Sequence, residues 1–244
     1  DNMAYIQSFR RYETKYLLTR QQAERLVEMA GDMLIPDRYG DYTICNLYLD
    51  TEDFYFIGHS LDKPMYKEKL RLRSYSNTDG EGTAFLEIKK KYNGVVYKRR
   101  ITLPYIQAQR YLLHGERPQC LDGFRQEQIF TEIDWLIKRY SPVPRVYLAY
   151  DRRAYASEQF QGLRVMFDSG IRSRFSELTL AHDSGTQLLH TGIEDYRLME
   201  IKSDGAVPYP LAQILSELRI YPVSFSKYGN IYKAFLSADK EIHV

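Results

Sequence analysis

Charged and apolar residues alternate strictly over several short stretches of this chain. From Tyr66 to Arg73, Lys67, Lys69, Arg71 and Arg73 share one parity, and Tyr66, Glu68, Leu70 and Leu72 share the other. Successive side chains of a strand point to opposite faces, so this pattern predicts a strand over 65–75 with four cations on one side. Similar alternation predicts strands over 84–91 and 95–103, with Asn93-Gly94 between them as a two-residue hairpin signal. Further strands are predicted over 5–16, 43–49, 146–155, 163–168 and 196–202. Helices show a 3.6-residue period instead. Thr19, with Gln22 three residues on, forms a capping box ahead of Ala23, Leu26, Val27 and Ala30. Thr51, Glu52 and Asp53 open a short helix, and Phe124, Ile129, Ile133, Leu136, Ile137 and Tyr140 make one apolar stripe. Two helices over 211–218 and 226–236 close the chain. The strands mostly follow one another without crossover helices, which favours an antiparallel sheet.

The other strands repeat the division of faces. Glu13 lies with Lys15. Glu87, Lys89 and Lys91 lie opposite Leu86 and Ile88, while Lys98, Arg100 and Thr102 lie opposite Tyr97, Ile101 and Leu103. Tyr150 and Arg152 lie opposite Ala149; Arg164, Met166 and Asp168 lie opposite Leu163, Val165 and Phe167; Glu200 and Lys202 lie opposite Met199 and Ile201. Lys15, Lys69, Arg71, Arg73, Lys89, Lys98, Arg100, Arg152, Arg164 and Lys202 thus face only Glu13, Glu87, Glu200 and Asp168. Like charges in neighbouring positions repel unless an anion sits opposite. Two arrangements satisfy such strands. An open sheet rests its apolar side on helices and turns its charges to water. A closed barrel keeps helices outside and charges inside, removing sheet edges and creating a lumen for a ligand. The excess of cations favours the closed barrel, in an α+β fold, and a polyanion such as a phosphate chain as its ligand.

Composition adds limits. The 244 residues are 44% hydrophobic and 27% charged, ordinary for a globular protein. No linker or internal repeat stands out, so residues 3–244 read as one domain, with Asp1-Asn2 an appended remnant ahead of a native Met3. Apolar runs fall well short of the roughly 18 residues of a membrane helix, and no apolar signal segment opens the chain. The net charge of +2 is silent about partners until residues are sorted by face. Cys45 and Cys120 form no Cys-x-x-Cys pair and fit free thiols in the cytoplasm. Five scattered histidines offer no metal pair, and P-loop, Gly-x-Gly-x-x-Gly and Gly-x-Ser-x-Gly motifs are absent from the sequence. Of the 22 tyrosines, residues such as Tyr97 and Tyr155 are expected to pack beneath helices, and Trp135, beside the stripe of its helix, is expected to serve packing rather than function. Arg172 and Arg174 either extend the basic lining or form a solvated turn.

Three Glu-x-Lys tripeptides lie on strands: Glu13-Thr14-Lys15, Glu87-Ile88-Lys89 and Glu200-Ile201-Lys202. A carboxylate among cations suits a hard metal, since Mg2+ or Mn2+ is commonly held by one or two carboxylates plus substrate phosphates. An internal ion pair is the alternative, open for Glu13 and Glu87.

The order Glu13-x-Lys15, Leu70-Arg71-Leu72-Arg73, Glu87-x-Lys89, Tyr150-x-Arg152, Arg164, Glu200-x-Lys202, Ser226-Lys227-Tyr228 resembles the VTC domain. That is the catalytic domain of vacuolar-transporter-chaperone polyphosphate polymerases, within the triphosphate tunnel metalloenzyme fold. The resemblance spans about Phe9 to Phe235. It implies a closed eight-stranded antiparallel barrel, a tunnel lined by basic residues with helices packed outside. Carried over, Lys15, Arg71, Arg73, Lys89, Arg152 and Arg164 form the catalytic phosphate-holding set. Tyr150, Ser226 and Lys227 join in binding substrate, with Lys98 and its register rival Arg100, and the cation count adds Lys69 and Lys202. Glu200 matches the family's metal-binding carboxylate for Mn2+ or Mg2+, and the Glu-x-Lys pattern adds Glu13 and Glu87 as further candidate ligands. Ser226 is also a good N-cap, and a helix N-terminus favours anions. The departures are Ser224, where the family often has lysine, and an unmatched upstream basic position with Lys63, Lys67 and Lys69 as candidates. Arg11 replaces the first glutamate of the Glu-x-Glu-x-Lys typical of the related CYTH group, which fits a polymerase better than a triphosphatase.

The activity implied is metal-assisted transfer of the γ-phosphate of ATP to a growing polyphosphate chain, which needs positioning and charge stabilisation rather than a protein nucleophile. The sensing domain and membrane helices of eukaryotic relatives have no counterpart here, leaving a separate membrane partner open. The alternatives are a triphosphatase, with water held by Glu13 or Glu87, and a non-catalytic polyphosphate-binding module. Nucleic acid is disfavoured because an enclosed lumen admits no duplex.

Overall fold

The structure, a computed structural model, describes residues 12–93 and 95–242. The start of the first predicted strand, Arg11, the expected remnant Asp1-Asn2 with the expected start Met3, and Gly94 of the hairpin signal all lie outside the described residues. The strands are β1 (Tyr12–Leu18), β2 (Ile35–Asp50), β3 (Tyr66–Ser74), β4 (Thr83–Tyr92), β5 (Val95–Pro104), β6 (Val143–Ala156), β7 (Arg164–Arg174), β8 (Gln187–Leu188) and β9 (Arg197–Ser203). The helices are α1 (Arg20–Ala30), α2 (Tyr55–Leu61), α3 (Tyr105–His114), α4 (Gly123–Tyr140), α5 (Tyr209–Glu217) and α6 (Lys227–Ile242). No helix among the described residues is long and apolar enough to cross a membrane.

Hydrogen bonding links the strands in the order β1-β9-β7-β6-β2-β3-β4-β5, with β8 added to β7. This corrects the expected architecture. The α+β class holds, but the sheet has nine strands and is not closed into a barrel: among the described residues β1 and β5 are its two unjoined ends. Alternation dictates which face of a strand is polar. It carries no information on whether the first and last strands meet, because that pairing is the most distant in sequence.

The chain divides into two compact units. One comprises the chain up to Tyr42, Asp151–Gly170 and His190–Phe225. Its core joins β1, β9 and the first half of β7 in antiparallel register, Tyr16 opposite Met199 and Val165 opposite Ile201. The apolar faces of these strands pack on α1 and α5 through Ala23, Leu26, Ala30, Leu211, Ile214 and Leu215. Each buried aliphatic side chain contributes about 1.5–3 kcal/mol. The capping box at α1 forms as predicted: Gln22 N donates to Thr19 Oγ1 at 3.1 Å and Thr19 N donates to Gln22 Oε1 at 3.0 Å.

The other unit comprises Thr43–Tyr150, Ile171–Leu189 and the chain from Ser226. β3, β4 and β5 form a continuous antiparallel ladder, with Leu70 opposite Ile88 and Leu86 opposite Ile101. Asn93 turns the β4–β5 hairpin at φ +45°, and Tyr92 pairs with Val95. The apolar face of the ladder packs on α3 and α4 through Tyr105, Ala108, Tyr111, Ile129, Phe130, Ile133 and Leu136. α3 was not anticipated. Phe124, placed on the α4 stripe, stands at the helix start and is 84% exposed. Trp135 is exposed with the Arg139 guanidinium 5.2 Å from its ring, and Tyr97 is exposed too, whereas Tyr155 is buried as expected. Arg174 is neither lining nor solvated turn. It is buried, and its guanidinium donates to the carbonyls of Glu177, Thr179, His182 and Ser184.

Candidate functional site: two charged sheet faces

The ladder of the second unit sets the expected cations in rows. Lys69 lies opposite Lys89, and Lys89 opposite Lys98; Arg71 lies opposite Glu87, and Glu87 opposite Arg100. On β2, Asn46 lies opposite Arg73 and Tyr48 opposite Arg71. Over the paired positions of β3, β4 and β5, Lys67, Lys69, Arg71, Arg73, Lys89, Lys91, Lys98 and Arg100 face the single acid Glu87.

Glu87 is the hub. Arg71 approaches it through Nε at 2.7 Å and Nη2 at 2.6 Å, Lys98 at 3.2 Å, and Arg73 and Arg100 at 3.9 Å each. The register rivals Lys98 and Arg100 therefore both serve this face, with Lys98 the closer. Burial alone would raise the Glu87 carboxyl, but Arg71, Arg73 and Lys98 outweigh it and hold it down to about 2. The remaining donors are oriented by neutral groups. Arg71 Nη1 donates to Tyr48 Oη at 3.2 Å, and Arg73 donates to Asn46 Oδ1 at 2.9 Å and to Tyr150 Oη at 3.4 Å.

The start of α6 completes this cluster. Gly229 N donates to Ser226 Oγ at 3.1 Å, so Ser226 caps the helix as its sequence suggested, and Lys69 Nζ also reaches that hydroxyl at 3.3 Å. Lys227 Nζ stands 4.3 Å from the centre of the Tyr150 ring. Thus Lys69, Arg71, Arg73, Glu87, Lys89, Lys98, Arg100, Tyr150, Ser226 and Lys227 belong to one cluster.

In the first unit the expected residues form a smaller patch. Glu13 lies opposite Lys202 and Lys15 opposite Glu200 across β1 and β9, while Arg164 of β7 lies opposite Lys202. Lys202 pairs with Glu200 at 2.9 Å, Lys15 lies 3.7 Å from Glu13, and Lys15 Nζ donates to the Phe225 carbonyl at 3.1 Å. Arg164 lies 3.9 Å from Asp37. Arg152 makes a two-point contact with the fully buried Asp168, at 2.6 and 2.8 Å.

The three Glu-x-Lys tripeptides are not equivalent. Glu87 Oε2 is taken up by Arg71, while the buried Oε1 has no hydrogen-bond partner and lies 3.2 Å from Lys98, so cations already surround this carboxylate where a metal would sit. Glu13 and Glu200 do fit a metal, being diagonal neighbours on one face beside Lys15 and Lys202. Two such carboxylates are the protein contribution a hard divalent ion commonly takes. Among the described residues no three acidic, histidine or cysteine side chains gather, so any further ligands would be phosphate or water.

Sequence reasoning missed Tyr48, Asn46 and Asp50. Asp50 is buried and accepts from the backbone N–H groups of Thr51, Phe56 and Ile57 and from Tyr228 Oη at 2.9 Å. The parity of Asn46, Tyr48 and Asp50 on β2 was readable, but their meaning depends on the pairing with β3.

This antiparallel α+β fold is shared with solved structures of low sequence identity. Two solved structures carry that likeness. One is an adenylate cyclase-like protein from Bacillus halodurans, with 19% identity over 88% of this chain and 92% of that one, at TM-score 0.51. The other is an adenylyl cyclase-like protein from Hippeastrum, described with a dominant triphosphatase activity, with 13% identity over 91% and 95% at TM-score 0.52. The chain belongs to the VTC domain family, whose match covers residues 10–236. No curated protein sequence matches it.

Proposed function

We propose that this protein is a polyphosphate polymerase that moves the γ-phosphate of ATP onto a growing polyphosphate chain. The observation that carries the reading is the ratio of eight cations to one carboxylate on the β3–β5 face of a VTC-family chain. A terminal oxygen of the polyphosphate forms the new bond to the γ-phosphorus. The bond from γ-phosphorus to the bridging oxygen breaks, and ADP leaves with the electron pair. Arg71, Arg73, Lys69, Lys89, Lys98 and Arg100 neutralise phosphate oxygens, with Ser226 and Lys227 contributing at the start of α6 and Tyr150 orienting Arg73 and Lys227. Such preset positive charge is where catalysis of phosphoryl transfer resides. In the first unit, Lys15, Arg152, Arg164 and Lys202 are assigned to phosphates, and Glu200 with Glu13 to Mn2+ or Mg2+. The ion supplies charge neutralisation at phosphate oxygens. Glu87 cannot act as a base, since a carboxyl held down to about 2 by surrounding cations has little affinity for a proton.

A triphosphatase is the second reading, favoured by the partly exposed Glu13, whose carboxylate is the more accessible base, and by the activity described for the Hippeastrum protein. With the sheet open, the steric argument against nucleic acid lapses. A chemical one replaces it: base stacking needs exposed aromatic platforms, whereas on this face Tyr48 is buried and Phe85 is covered by Arg100 at 4.8 Å. The free thiols of Cys45 and Cys120 suit the cytoplasm. Incubation with ATP and Mn2+, resolved on a polyphosphate gel, tests the proposal. Chains longer than the input support it; release of free phosphate alone replaces it with the triphosphatase.

A further inference from the structure

Tyr48 occupies an unusual electrostatic position. It is 8% exposed, and its ring stacks on Tyr228 at a centroid separation of 4.4 Å. Its hydroxyl oxygen accepts from Arg71 Nη1 at 3.2 Å. Lys69, Arg71 and Arg73 of β3 bear on it electrostatically. Glu87 of β4 is bound to Arg71, Tyr150 of β6 to Arg73, and Tyr228 of α6 directs its own proton to Asp50. The Tyr48 hydroxyl also carries a proton, and no acceptor for it is found among the described residues. The neighbouring cations are donors only and cannot accept this proton. An anionic oxygen on this face can.

We propose that Tyr48 is a ligand-binding residue whose O–H donates to a non-bridging oxygen of a phosphate lying on the β3–β5 face. The proposal rests on the phosphate reading above and adds to it a specific neutral donor. It has a spectroscopic signature. Burial raises the phenol, yet Arg71, Lys69 and Arg73 together bring it down to about 8, below an ordinary tyrosine. A phosphate that accepts the proton favours the protonated form, so ligand binding and ionisation oppose each other.

The test is calorimetric titration of inorganic tripolyphosphate into the full chain, wild type and Tyr48→Phe, beside a near-ultraviolet tyrosinate titration. Phenylalanine keeps the ring and its stack on Tyr228, and circular dichroism with thermal melting verifies the fold. Tyr48→Phe is expected to bind about tenfold more weakly, as loss of a hydrogen bond to a charged group implies. Wild type should show one tyrosine ionising near pH 8; Tyr48→Phe should lack it, and saturating tripolyphosphate should move it upward. Binding within about twofold of wild type overturns the assignment of Tyr48 alone. Failure of wild type to bind tripolyphosphate overturns the phosphate reading itself. If Tyr48→Phe does not fold, the wild-type titration decides: an ionisation unmoved by tripolyphosphate refutes the proposal.

Discussion

Glutamine at position 87 keeps the shape of the hub and removes its charge. The wild-type carboxyl is held down to about 2, against an ordinary 4.5: burial works to raise it, but Arg71, Arg73 and Lys98 prevail. At roughly 1.36 kcal/mol per tenfold change in acidity, that difference corresponds to about 3 kcal/mol of folding stability. The folded value lies below the unfolded one, so the contribution is fully present above about pH 4.5 and disappears as pH falls towards 2. Glu87→Gln should therefore unfold about 3 kcal/mol more easily in urea at neutral pH. Its gap from wild type should shrink through that acidic window, because wild type then acquires a neutral side chain too. Tripolyphosphate should restore the variant more than it stabilises wild type, since an anion replaces the missing charge. A neutral-pH gap under about 1 kcal/mol, or one that stays constant on acidification, would refute the hub reasoning.

Other consequences are as concrete. Asp168→Asn leaves Arg152 without its buried carboxylate, and urea unfolding should show a loss of about 3–5 kcal/mol. Arg174→Met withdraws the donors from four carbonyls of the segment after β7, so hydrogen exchange over 175–186 should quicken while the β3–β5 amides stay protected.

How much of this was legible beforehand varied with the range of the interaction. Parity along β3, β4 and β5 was local, and the cationic face followed from it. The Thr19 and Ser226 caps were also local, three residues from donor to acceptor. Three things were not local. The Glu-x-Lys tripeptides look alike in sequence, yet Glu87 is locked by residues of β3 and β5, whereas Glu13 and Glu200 are diagonal neighbours across β1 and β9. Arg152 was assigned to phosphate and Asp168 to the same charged face, but their two-point contact joins different strands and was not readable locally. Barrel closure depended on β1 and β5, at opposite ends of the pairing order, and nothing within either strand encodes a meeting between them. α3 escaped notice because its helical run follows β5 directly, with Pro104 as its cap and no polar capping side chain to announce it.

The alternation in β3 also bears on how such a gene can vary. Side chains repeat with period two, so one residue gained or lost between Lys67 and Arg73 would turn the remaining cations onto the helices and the leucines away from them. Burying unpaired charge in that layer is far costlier than any single substitution on the charged face. Codon replacement away from the Glu87 hub can therefore retune ligand chemistry, while in-frame insertion and deletion are tolerated only in the connections, such as residues 75–82 between β3 and β4.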